Sequence, residues 1–168
     1  KYHWARTAIQ LSFTIFLFFE TWLVPLEGWG VDKFGPRPVI IFGAILVTIG
    51  WIICSKASSL GVLYFAQILT GAGAGAVYGT CSGNSLKWFP DKRGLAAGAT
   101  AAGFGGGAAI TVIPVANMIN TSGYEQAFFV FGIIQGCIIT ACALFMPRAK
   151  LPPGTKAIPK VISSKKNY

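Results

Sequence analysis

The sequence predicts an all-α polytopic membrane protein with five transmembrane helices, and three observations lead to this prediction. Only 11% of the 168 residues are charged, 54% are hydrophobic and the mean hydropathy is +0.61. A soluble domain carries about 25% charged residues, so this chain lacks the polar surface that water requires. The hydrophobic residues form runs of about 20, long enough to span a bilayer. Two charged turns, at residues 28–37 and 88–94, lie between hydrophobic runs. Because a charged turn cannot lie in lipid, each marks a point where the chain leaves the membrane.

Each hydrophobic run predicts one span. A window of about 20 residues places the spans at residues 7–29, 39–55, 60–86, 95–117 and 127–146. Lipid offers no hydrogen-bond partners, so each span is expected to be helical. Pro25 and Pro114 lie inside spans and each removes one backbone donor, so bends are expected there. Residues 56–59 and 120–125 are predicted to be short polar links.

The distribution of positive charge predicts the orientation. The net charge is +9, but most lysines and arginines fall in alternate gaps between spans, as in the positive-inside pattern. Residue 1 is therefore expected outside, and a basic, proline-rich tail at 148–168 is expected to be a cytoplasmic linker after a bundle at 1–147. A nucleic-acid-binding stripe would lie along one element, so nucleic acid is not a predicted partner. An odd number of spans that begins outside suggests a chain missing its start.

Metal, cofactor and enzymatic chemistry find no support in the sequence. The four cysteines lie within apolar runs, without paired spacing or a histidine cluster. His3 is the only histidine, and no nucleophile and base share a recognisable pattern. We therefore expect no metal, no cofactor and no catalytic residues.

Glycines recur every four residues in the third span, at Gly71, Gly75, Gly79 and Gly83. Positions four apart share one helix face, and a glycine strip lets a neighbouring backbone approach closely. The fourth span carries a looser series. Two interpretations stay open: the strips serve only tight helix packing, or they let helices slide and bend during alternating access.

Glu20 is the one carboxyl group predicted near the bilayer midplane, about fourteen residues into the first span at 1.5 Å per residue. An ionised group at that depth costs several kcal/mol unless it is paired, hydrated or protonated. A functional carboxyl is the first interpretation, and a protonated or hydrogen-bonded structural glutamate is the other. Glu27 lies close to the first turn and is expected to join its charges, Asp32, Lys33 and Arg37.

The first turn resembles the signature loop of the major facilitator superfamily, because it reads Gly28-x-x-x-Asp32-x-x-Gly35-x-Arg37. This resemblance implies a loop between the second and third helices that latches the two halves of a transporter in the outward-facing state. Gly35 would permit the tight turn. Asp32 and Arg37 would provide charges for bridges across the cytoplasmic face.

More specifically, the chain is similar to the oxalate/formate antiporter family over three stretches, residues 31–37, 71–79 and 88–103. The last stretch contains a cytoplasmic loop motif, Asp91, Lys92, Arg93 and Gly94. The resemblance implies that the five spans are helices two to six of a twelve-helix transporter, an incomplete N-terminal bundle. It also implies that Gln10 and Tyr78 line a central cavity that binds a small carboxylate. The archetype has an uncharged amide where this chain has Glu20, which suggests proton coupling or a different anion.

The leading hypothesis is thus a secondary transporter of small carboxylates in a bacterial inner membrane, similar to the oxalate/formate antiporters. Gln10, Glu20 and Tyr78 would contribute from this half, and its partners would be oxalate, formate or similar anions, the bilayer and a missing C-terminal half. The alternatives are a proton-coupled monocarboxylate symporter of the same superfamily and a structural or assembly membrane protein without transport activity.

Overall fold

A computed structural model describes residues 6–146 as a bundle of α-helices, without a β-strand in that range. The predicted all-α class is confirmed. The helices are α1 (Arg6–Trp22), α2 (Val24–Phe34), α3 (Pro36–Ser55), α4 (Leu60–Trp88), α5 (Arg93–Ser122) and α6 (Tyr124–Phe145), with a short 3₁₀ helix at Pro90–Lys92. The predicted linker at 148–168, and the outermost residues of the predicted bundle, lie outside the described residues.

Four of these helices, α3 to α6, are long and apolar enough to cross a membrane. The first predicted span, at residues 7–29, is present as a bent pair of helices. α1 and α2 meet at 45° and together pass the same length and hydropathy test. Pro25 explains the bend, since it occupies the first turn of α2 and has no N–H to continue the ladder of α1. The bend expected at Pro25 is therefore confirmed, whereas Pro114 lies inside an unbroken α5.

The link predicted at 120–125 is wrong, because helix occupies nearly all of it. α5 continues to Ser122, and α6 begins at Tyr124. A single residue, Gly123, joins the two helices with φ 86°, a conformation that only glycine adopts readily. The polar residues of this segment suggested an exposed loop. Exposed polar residues, however, also occur in the last turns of helices.

The core of the bundle is the packing of α3 against α4 on one side and α6 on the other. α4 also carries α1 and α2 on its opposite face. α5 is different, because Ala96 is its only buried residue. The glycines of α5 have open space around them within the described chain, from Gly94 to Gly107.

Candidate functional site

The signature turn (residues 28–37) connects the ends of four helices. Asp32 at the end of α2 pairs with Lys87 at the end of α4, with 3.3 Å between Oδ1 and Nζ. Arg37 in the first turn of α3 donates from Nε to the carbonyl oxygen of Met146, just after α6, at 2.7 Å. The two charged residues of the motif therefore contact the ends of α4 and α6. Whether these contacts act as a conformational latch stays a prediction.

Gly35 is the residue that makes this turn possible. It is buried, its φ is 91° and its ψ is 171°, and its N–H donates to the carbonyl oxygen of Val31 at 2.8 Å. This region of backbone conformation is essentially restricted to glycine. Gly28 is ordinary by comparison, since it is helical and nothing lies within 4 Å of the place where a side chain would begin.

The second turn, between α4 and α5, presents its motif to the surroundings. Asp91 and Lys92 belong to the 3₁₀ helix, while Arg93 and Gly94 begin α5. All four are exposed. The described residues give this motif no buried contact that would assign it a role.

The three predicted substrate or coupling residues are not brought together. Gln10 is exposed on α1, and Glu20 is half-buried on the same helix. Ten residues of helix separate them by about 15 Å along the axis. Tyr78 is half-buried on α4, where its ring packs 5.0 Å from that of Phe104 on α5. Within residues 6–146 no hydrogen bond joins any two of these side chains, so their common role stays a prediction.

The glycine strip of α4 packs on the bent first span. A side chain at Gly71 would meet the backbone of Phe16, and one at Gly75 would lie 2.7 Å from the carbonyl oxygen of Glu20. Gly79 is looser, and nothing lies near Gly83. The strip is thus a helix contact along its first half.

Sequence reasoning missed a second close glycine contact, which is reciprocal between two helices. A Cβ atom at Gly73 would lie 2.6 Å from the carbonyl oxygen of Gly43 on α3, and one at Gly43 would lie 2.8 Å from that of Gly73. The two backbones therefore touch at the centre of the α3–α4 interface. Neither glycine belongs to the four-residue series, so its period gave no signal for them.

Glu27 is a correction to the expected charge cluster. Its two carboxyl oxygens are buried and have no hydrogen-bond partner within the described residues. They lie toward α4, because side chains at Gly75 and Gly79 would meet them at 2.8 and 3.4 Å. Glu27 and Asp32 are five residues apart and so point about 140° apart around the helix. Glu20 and Glu27 are seven residues apart, about two helical turns, but the bend between α1 and α2 interrupts this period, so the spacing gave no reliable signal for the site.

The surface ion pair of the signature turn is expected to contribute little to stability. The side chains of Lys87 and Asp32 are 46% and 76% exposed, and exposed pairs contribute about 0–1 kcal/mol. A double-mutant cycle with Asp32→Asn and Lys87→Met, followed by thermal unfolding in detergent, should give a coupling energy below about 1 kcal/mol. A coupling several times larger would mean that this pair holds the bundle together.

No group of three or more histidine, cysteine or acidic residues that could hold a metal occurs between residues 6 and 146. The cysteines in this range are free thiols. The site is therefore described by its polar side chains and glycine contacts alone.

Comparison with known proteins supports one family. The sequence matches the profile of the Major Facilitator Superfamily over residues 1–167. It is 39% identical to the oxalate:formate antiporter of Oxalobacter formigenes over 136 residues, 81% of this chain and 32% of the relative.

More distant relatives carry related names. The probable sulfoacetate transporter SauU of Cupriavidus necator is 30% identical over 128 residues, 76% of this chain and 30% of the relative. Monocarboxylate transporter 11 of Homo sapiens is 28% identical over 129 residues, 76% of this chain and 27% of the relative. The chain thus spans about a third of the length of the curated relatives it matches.

Proposed function

The chain belongs to the major facilitator superfamily, and from that premise we propose that it functions in the secondary active transport of small carboxylate anions. Members of this family are transporters, so the protein is a multi-pass membrane protein and not an enzyme. The proposed mechanism is alternating access, in which helical bundles rock around a site near the middle of the membrane.

The observation that supports this proposal most is the 39% identity to an oxalate:formate antiporter over most of the chain. The two other relatives described above are named for sulfoacetate and monocarboxylates, which are also small organic anions. We therefore propose exchange of oxalate, formate or similar carboxylates. Gln10 and Tyr78 carry the polar groups assigned to the anion, and Glu20 modulates its binding.

Three further parts of the proposal concern the surroundings. The membrane is a bacterial inner membrane, with the signature turn on the cytoplasmic side, as the distribution of lysine and arginine indicates. The partners are the lipid bilayer and the second half of a transporter. A purely structural role is disfavoured, because the family match and the signature turn are both features of transporters.

Proton-coupled monocarboxylate symport is the second candidate, and Glu20 is the observation that favours it. A carboxyl group within a span can carry the coupled proton. Ionised, it would repel a dianion such as oxalate at the same site. The two candidates therefore differ in what a proton gradient does.

Counterflow in proteoliposomes separates the two candidates. The complete gene product that contains these residues is reconstituted, loaded with formate and supplied with labelled oxalate outside, with and without a proton gradient. We expect labelled oxalate to accumulate in exchange for internal formate without any gradient. No oxalate uptake, together with gradient-driven uptake of another carboxylate, would instead establish symport.

Replacement of Glu20 by glutamine is expected to lower the KM for oxalate several-fold, because one negative charge near the dianion is removed. At an effective dielectric constant of about 20, a charge some 10 Å away contributes about 1.7 kcal/mol per unit charge of the anion, an upper bound that salt and water reduce. The KM for monoanionic formate should fall less. Gln10→Glu is the matched control, since it adds a charge on the same helix and should raise the KM for oxalate. If Glu20→Gln leaves the KM for oxalate unchanged, Glu20 is structural; if it abolishes gradient-driven uptake, Glu20 is the coupling site.

A further inference from the structure

Glu27 occupies an unusual place between two cavities of the bundle. On the α3 side lies a cavity of about 360 Å³ that is lined almost entirely by apolar side chains, with Glu27 as its only charged residue. On the other side lies a cavity of about 240 Å³ between α2 and α4, which Glu27 shares with Thr80, Asp32 and Lys87. Glu27 thus lies between an apolar cavity and a cavity that other polar side chains also line.

The buried side-chain oxygens without a hydrogen-bond partner belong to two residues that line the cavity between α2 and α4. Within residues 6–146 they are the two oxygens of Glu27 and the hydroxyl oxygen of Thr80. Thr80 is only 2% exposed. Because an unpaired buried polar group is costly, three such atoms on one cavity indicate a ligand that can hydrogen-bond to them. The cavity has four polar or charged residues among its lining and is large enough to admit water.

The charged groups around Glu27 favour a proton over an anion as that ligand. Asp32 from α2 and Lys87 from α4 form an ion pair at the rim of the cavity and nearly cancel each other. α3 presents only apolar side chains to Glu27. Glu20 is the other carboxyl group of the bent first span, and its backbone carbonyl oxygen lies against the position of Gly75. Among residues 6–146 no cation pairs directly with Glu27, and an ionised carboxylate in such a place is unstable without one.

We propose that the cavity between α2 and α4 is a proton-binding site, in which the Glu27 carboxyl carries the proton and water in the cavity links it to the Thr80 hydroxyl, with which it makes no direct hydrogen bond. The proton enters and leaves past the Asp32–Lys87 pair, on the side of the signature turn. Its binding regulates how closely α2 packs on Gly75 and Gly79, so this inference deepens the proposed function and rests on it only for its physiological meaning.

The test is labelling with a hydrophobic carbodiimide, which adds to a carboxyl group that carries a proton in an apolar setting. The complete gene product in detergent is treated across a pH series, and peptides are analysed by mass spectrometry. We expect the label on Glu27, decreasing as the pH rises and absent in Glu27→Gln. Glu20→Gln is the matched control on the same span and should leave the Glu27 label in place.

Two rim variants test the site without altering Glu27. Asp32→Asn leaves the positive charge of Lys87 uncompensated and should lower the pH of half-labelling by about one unit. Lys87→Met leaves the negative charge of Asp32 and should raise it by a similar amount. Lys33→Met is the control, because Lys33 stacks on Trp29 and Phe34 instead of lining the cavity. A purely structural Glu27 would not show these opposite shifts.

Three outcomes would overturn the proposal: no label on Glu27 at any pH, a label that is independent of pH, or suppression of the label by sodium at constant pH. The last would reassign the cavity to a metal cation. Labelling requires no transported anion, so failure of the counterflow assay leaves this test intact. Loss of labelling with normal counterflow would reject the proton site and keep the proposed function.

Discussion

Replacing Gly73 by alanine is expected to destabilise the bundle strongly. The added Cβ would lie 2.6 Å from the carbonyl oxygen of Gly43 and 2.8 Å from the amide nitrogen of Val47. Both atoms belong to the backbone of α3, so no side-chain rotation relieves the contact and the two helices must separate. Overpacking of this kind costs about 1–3 kcal/mol. Thermal unfolding in detergent should show a Tm lower by several degrees, and Gly73→Leu should prevent recovery of folded protein.

Gly83→Ala is the control for this prediction, because Gly83 lies on the same helix and nothing lies within 4 Å of its added Cβ. Its stability should be unchanged or slightly higher, since alanine favours helix over glycine by up to about 1 kcal/mol. Val47→Ala should not rescue Gly73→Ala, because the backbone contacts remain. Equal stability of the Gly73 and Gly83 variants would contradict the tight α3–α4 contact.

These contrasts also bear on the two interpretations of the glycine strip. Gly71 and Gly75 meet backbone atoms of the first span and therefore serve close packing. Gly79 has only a carboxyl oxygen nearby, and Gly83 has open space. If helix sliding occurs along α4, it involves this looser second half. Alanine at Gly79 should then reduce the rate of counterflow while leaving Tm nearly unchanged.

The sequence was a reliable guide to what depends on hydropathy and on single turns. Four spans, the bend at Pro25 and the two charged turns all follow from local composition, because lipid imposes length and helicity on each segment separately. The end of α5 did not follow, since polar residues 120–122 suit either a loop or a helix end. Gly123 alone decides where the helix stops.

Contacts between helices were harder to predict because they depend on the register of two segments. The four-residue glycine series identified the face of α4 that packs on α1, but a second close backbone contact joins Gly73 to Gly43 on a different helix. Glu27 illustrates the same limit. Its neighbours in the sequence are the charges of the signature turn, whereas its neighbours in space are the glycines of α4.

The second large effect is expected at Gly35, where alanine should lower both stability and transport. Gly35 has φ 91° and ψ 171°, and holding another residue there costs about 1–3 kcal/mol. Relaxation of this strain would rotate the first turn of α3 relative to α2. It would thereby displace Arg37 from the Met146 carbonyl and Asp32 from Lys87. Tm in detergent and the initial rate of formate-driven oxalate uptake are the two measurements.

Gly28→Ala is the control for Gly35→Ala, because it replaces a glycine of the signature whose backbone conformation does not require glycine. Gly28 is a motif glycine like Gly35, but it is helical and its surroundings are open. Alanine there should keep Tm or raise it slightly. If Gly28→Ala nevertheless slows transport while Tm is preserved, another part of the transporter must approach this position in a second conformation. If Gly35→Ala changes neither Tm nor the uptake rate, the positive φ at this turn is not required. The expected link between the turn geometry and the contacts of Arg37 and Asp32 would then be wrong.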